Sequence, residues 1–111
     1  MRKSQIDATE YEPFLEDGQQ LGEVHWLRQS SGAEVVHLAG VWRISPEETP
    51  ESFEYPFETE ETIHVLEGSV TIDVPGAEPL FLTEGDIASF TKGTVSTWTV
   101  QAPFRKFFVC S

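Results

Sequence analysis

Between Phe53 and Trp98 the chain alternates apolar and polar residues in short runs separated by glycine, a pattern that points to an all-β fold. Val70, Ile72 and Val74 alternate with Ser69, Thr71 and Asp73, which is the period of a strand with one face buried. Ile63, Val65 and Leu66 lead into Glu67-Gly68, and Pro75-Gly76 ends the next run. Thr83 to Asp86 turns the chain into Ile87 to Phe90, and Lys92-Gly93 closes that stretch in its turn. No segment argues for a long helix. Close spacing of turn signals predicts roughly eight to ten strands of about five residues, arranged as a sandwich or a closed barrel.

A chain of 111 residues accommodates one domain with a single core. Residues 1–20 are polar and acidic, anchored only by Tyr11, Phe14 and Leu15, and are predicted to form an N-terminal arm draped over the domain or a neighbouring subunit; residues 21–111 form the domain itself. The formal net charge of -12 repels nucleic acid and anionic membranes, so neither is an expected partner. Arg2 and Lys3 precede no hydrophobic segment, and no apolar run reaches membrane-spanning length, which makes a cytoplasmic protein the expectation. The single cysteine, Cys110, excludes an intramolecular disulfide and a cysteine-based zinc cluster within one chain.

Glu23 to Gln29 reads as a short strand with Val24, Trp26 and Arg28 on one side. It is followed by a flexible Ser30-Ser31-Gly32 and a short apolar run from Ala33 to Leu38. In the next strand Trp42 and Ile44 share a face and Arg43 takes the other. Phe53, Tyr55 and Phe57 then form one face opposite Glu54 and Glu58, with Pro56 marking an edge or a bulge. Eight glutamates fall from Glu47 to Glu67 with no lysine or arginine among them. Most belong on solvated surfaces, but Glu61 shares the inward parity of Ile63 and Val65. An inward carboxylate is costly unless it is paired, protonated or bound to a cation. Ser96, Trp98 and Val100 oppose Val95, Thr97 and Thr99. Gln101 to Pro103 then turns the chain into a last strand carrying Arg105 and Lys106.

This grammar of turns resembles the cupin superfamily, whose fold is a single-domain RmlC-like jelly-roll β-barrel. Glu61 and Gly68 match the end of the first cupin motif at the right interval, but Tyr55 and Phe57 occupy its two histidine places. Gly85 and Gly93 match the second motif, with Thr91 at the proline place and Ser96 at the histidine place. Gly40-x-Trp42, His64 to Gly68, Glu84 to Asp86, and Arg105-Lys106-Phe107 are similar to the single-domain group related to the (S)-ureidoglycine aminohydrolase cupin domain, also known as DUF861 or Cupin_3-like. The resemblance implies a four-residue metal site, and the corresponding positions here are Tyr55, Phe57, Glu61 and Ser96. Only Glu61 is a strong ligand, so no metal or other cofactor is expected. The alternative is a divalent transition metal such as Mn held by a rebuilt site that recruits His25 or His37; His64 has outward parity.

What remains is an aromatic-lined pocket in which Tyr55, Phe57, Glu61, Ser96 and Trp98 are the candidate ligand-binding residues. Ring faces attract cations and Glu61 offers a counter-charge, so a small, mostly apolar or cationic metabolite is the expected ligand. Burial also raises a carboxylate toward neutrality, which makes Glu61 the candidate acid-base catalyst with Tyr55 as proton donor. Three readings follow: a metabolite-binding cupin without most metal ligands, an enzyme acting on a ureide-like or amine-like nitrogen compound, and a structural or accessory homodimer. Open edge strands make a homodimer the expected assembly in each.

Overall fold

The structure, a computed structural model, describes residues 1–31 and 36–111. Gly32, the end of the stretch expected to be flexible, and the start of the Ala33–Leu38 run lie outside the described residues. Among the described residues there are eight strands: β1 (Glu12–Glu16), β2 (Gln19–Ser31), β3 (Val36–Ile44), β4 (Phe53–Pro56), β5 (Glu61–Asp73), β6 (Leu80–Thr83), β7 (Ile87–Phe90) and β8 (Val95–Cys110). They pair in the order β1-β2-β3-β8-β5-β6, with β4 also on β8 and β7 also on β5.

The sheet is therefore open, which corrects both the closed barrel offered by the spacing of turn signals and the jelly-roll β-barrel implied by the resemblance. Among the described residues no ladder joins β1 to β6. Two of the expected turns are bends inside continuous strands. β5 runs straight through Glu67-Gly68, and β8 runs through Gln101 to Pro103. The register between them shifts between Val65 and Glu67 and again between Glu67 and Ser69, as bulges do. Gly68 has φ 78°, and a Cβ there would collide with the Pro103 carbonyl, so this glycine marks a close crossing of two long strands.

The bend gives the sheet two facing halves. The first half of β5 and the second half of β8 continue into β3, β2 and β1 on one side and β7 on the other. The remaining halves of β5 and β8 carry β6 and β4 at their edges. Ile63, Val65, Val70, Ile72, Val100 and Phe104 fill the space between, all nearly inaccessible. Inward parity changes from odd to even residues across the bulged segment of β5. The alternation read at Ile63 and Val65 and at Val70 and Ile72 thus describes one strand rather than two.

Residues 4–11 lie against the outer face of the same chain. The His25 ring holds them at both nitrogens: Nδ1 donates to the Glu10 carbonyl at 2.7 Å, and Nε2 accepts from the Ser4 hydroxyl at 2.6 Å. Arg105 donates to the Ile6 carbonyl at 2.8 Å, and the Arg43 guanidinium lies 3.6 Å from the centre of the Tyr11 ring. Within the residues read as an arm, Glu12–Glu16 form β1 and pair with β2. The Pro13 in this segment and its lack of strict alternation hide the strand in the sequence.

Candidate functional site

The inner face of the β1-β2-β3-β8 half and the short strand β4 enclose a pocket with apolar walls. Phe14 of β1, Leu21 and Trp26 of β2, Leu38 and Trp42 of β3, Phe53 and Tyr55 of β4, and Trp98, Lys106, Phe108 and Cys110 of β8 line it. It holds about 500 Å³ of empty space counting its mouth, of which about 70 Å³ admits the centre of a water-sized group. Strand alternation puts these residues together: Trp98, Lys106, Phe108 and Cys110 share one face of β8, as Phe53 and Tyr55 share one face of β4.

Glu61 and Lys106 are the buried charged residues of the described chain, 3% and 5% exposed. Lys106 Nζ donates to Glu61 Oε2 at 2.9 Å, and the Tyr55 hydroxyl donates to Oε1 at 2.6 Å. The ammonium sits among four rings, with centroids at 4.6 Å for Trp98, 5.1 Å for Tyr55, 5.5 Å for Trp42 and 5.6 Å for Phe108. Burial by itself would raise the Glu61 pKa. The Lys106 charge, with hydrogen bonds from Tyr55, Lys106 and Cys110, outweighs burial and holds the carboxyl below its ordinary value. Glu61 is thus an ionised partner, whereas burial alone predicts a carboxyl moved toward neutrality. Burial first, and then the Glu61 charge, push the Tyr55 phenol upward, and the same two causes push the Cys110 thiol up to about 11.

Of the five residues predicted for a pocket, Tyr55 and Trp98 stand on its wall and the other three lie behind it. Ser96 is a buried connector, donating to the Tyr55 carbonyl at 2.7 Å and accepting from the Trp98 indole N–H at 2.9 Å. Phe57 meets Tyr55 edge to face at 5.0 Å and stacks on Phe90 at 4.5 Å. Its backbone is fixed by hydrogen bonds with Gly93 and Thr94. His25 is occupied with the N-terminal segment, and His37 and His64 are exposed.

The residues present do not fit a metal. At the four positions implied by the resemblance, Phe57 has no donor atom, Ser96 bridges Tyr55 and Trp98, and both Glu61 oxygens accept internal hydrogen bonds. The Lys106 ammonium, 2.9 Å from that carboxylate, stands where it would repel a cation. Among the described residues no group of three or more His, Cys, Asp and Glu side chains is arranged to hold a metal.

Lys106 is the site residue that sequence reasoning missed. The signal was the alternation of Phe104, Lys106, Phe108 and Cys110, but the intervening Arg105, Phe107 and Val109 offer the opposite face an equally apolar pattern. A buried Glu61 requiring a cation could have selected between them.

Residues 32–108 match the family described as the EutQ-like cupin domain. A comparison with curated proteins finds no significant match. Among solved structures, a DUF861 family protein from Thermotoga maritima is 27% identical with a TM-score of 0.56, covering 64% of this chain and 76% of its own. The Clostridium difficile EutQ protein is 20% identical with a TM-score of 0.55, and the match covers 66% of this chain and 50% of that one. A DUF861 family protein of unknown function from Pseudomonas syringae superposes with a TM-score of 0.75 at 21% identity, over 96% of this chain and 46% of its own. The chain therefore spans about half the length of these last two proteins. With an all-β fold, an aromatic pocket and no recognisable metal cluster among the described residues, the chain belongs to the EutQ-like cupin family.

Proposed function

We propose that this chain binds one small, largely apolar organic molecule in the aromatic pocket and has no metal-dependent chemistry there. The observation that carries this reading is the pocket itself: rings from five strands converge on a space open to solvent, and a buried ion pair fixes its floor. Ligand sites commonly combine such apolar walls with a few placed polar groups. Glu61 and Ser96 serve from behind the wall, holding Lys106, Tyr55 and Trp98 in place. The cation expected from a ligand is supplied by Lys106, so the apolar part of the expected ligand class is the part retained.

Titration with a library of neutral aromatic fragments, followed by protein-observed NMR, tests the reading. Shifts confined to residues of the pocket wall are expected, and Trp98→Ala should abolish them. An unresponsive pocket would overturn it, and so would conversion of a candidate ureide with Mn added, which would favour the aminohydrolase-like alternative.

The proposed assembly is a cytoplasmic homodimer. Strands β1 and β6 each end the paired path and offer edges for a second chain. Because each chain carries a formal charge of -12, sedimentation should show tighter association as salt is raised if acidic faces approach each other.

A further inference from the structure

The ion pair is oriented with respect to the pocket. Lys106 stands on the wall, whereas Glu61 lies behind it and is not in contact with the open space. The other polar atoms nearby are committed: the Tyr55 hydroxyl to Glu61, the Trp42 indole N–H to the Leu21 carbonyl at 2.9 Å, and the Trp98 indole N–H to Ser96. An ammonium has three N–H bonds. One goes to Glu61, and the others face the rings and the space between them.

Each class of ligand charge meets a different response. A cation would approach the Lys106 ammonium inside a low-dielectric box, where like charges repel strongly. An anion would enter a chain with a formal charge of -12, and its carboxylate would share Lys106 with an ionised Glu61 that already neutralises it. A neutral oxygen acceptor avoids both costs, since it takes an N–H of the ammonium while leaving the ion pair intact.

We infer that the pocket selects flat, neutral molecules bearing a carbonyl oxygen, and that Lys106 is the residue that sets this preference. The inference rests on the pocket-binding reading above and names the ligand class for that same site. The ring body lies among Trp42, Trp98 and Phe108, and the carbonyl meets Lys106 Nζ. No bond to the ligand is made or broken.

Four probes of similar size separate the possibilities in the unmodified protein: acetophenone, ethylbenzene, benzoate and benzylamine, titrated by NMR at one pH and salt concentration. Acetophenone is expected to bind about tenfold more tightly than benzoate or benzylamine, and more tightly than ethylbenzene although the hydrocarbon leaves water more readily. In Lys106→Met combined with Glu61→Gln, which removes both charges together, ethylbenzene should become the tighter of the neutral pair. Benzoate or benzylamine as the tightest probe would overturn the charge preference while leaving the pocket a binding site. Ethylbenzene binding as well as acetophenone in the unmodified protein would overturn the role of Lys106. Failure of all four to bind would overturn the pocket reading itself, and the preference with it.

Discussion

Glu61 and Lys106 form their ion pair along the strands rather than across them: the Cα partner of Lys106 is Val65, and that of Glu61 is Cys110. The lysine must therefore lay its stem along the inner face of the sheet to reach a carboxylate four residues away. The same extension carries its charge beneath the Trp98 ring and makes the stem part of the pocket wall.

Removing one member of this pair should cost far more than removing both. Lys106→Met leaves an ionised carboxylate buried with only Tyr55 and Cys110 beside it, and a loss of about 3–5 kcal/mol is expected. Adding Glu61→Leu to the same chain should recover most of that loss, because no unpaired charge then remains. Urea unfolding of both variants reads the difference directly. Equal stability of the single and double variants would show that the unpaired Glu61 carries no burial cost.

Stability should fall on both sides of neutrality, for different reasons. The Glu61 carboxyl titrates lower in the folded chain than its ordinary 4.5, so its contribution is complete above that pH and is lost as pH falls through the folded value. Cys110 is raised from 9.0 to about 11, so its contribution is complete below 9 and is lost as pH climbs toward 11; Tyr55 is raised from 10.0, so its own loss sets in above 10. Melting temperature against pH should show a plateau between these limits. Glu61→Gln should flatten the acid side and Cys110→Ala part of the alkaline side.

Ser96 is small, but it satisfies a carbonyl on β4 and an indole on β8 at once. Ser96→Ala leaves both without that partner inside the core, and a loss of about 1–3 kcal/mol is expected. Tryptophan fluorescence during unfolding would measure it. A shifted emission maximum in the folded variant would show that Trp98 has also changed its setting.

Gly68→Ala should destabilise by at least about 2 kcal/mol, because the added methyl meets backbone on β8 at a residue with φ 78°. Gly76→Ala is the matched control. Its φ is also positive, but the space beside it is open, so the expected loss is the smaller conformational one. Denaturation of the two variants separates collision from backbone preference.

Much of the fold was legible because parity is a local property. Trp42 and Ile44 face the core with Arg43 turned toward Glu23, Glu61 shares the inward face of Ile63 and Val65, and His64 is exposed, as alternation predicts. Closure was not legible, because it depends on whether a glycine reverses a strand or only bends it. Glu67-Gly68 looks like a hairpin turn in sequence, and the β8 backbone that it crosses comes from a distant stretch. The candidate site was half legible for a similar reason. Tyr55 and Glu61 are close in sequence and were read together, whereas the cation that completes them lies on the last strand, 45 residues beyond Glu61.

The open sheet also bears on how a guest would reach the pocket. β1 contributes Phe14 to the wall yet is hydrogen-bonded along one edge only, to β2, with an irregularity in register between Pro13 and Leu15. Fraying this strand breaks one ladder, while displacing β8 would break three. The β1 amides should thus exchange more readily than those of β8, and a seated guest should slow their exchange with solvent. In this protein the boundary between wall and gate is a matter of how many neighbours a strand has.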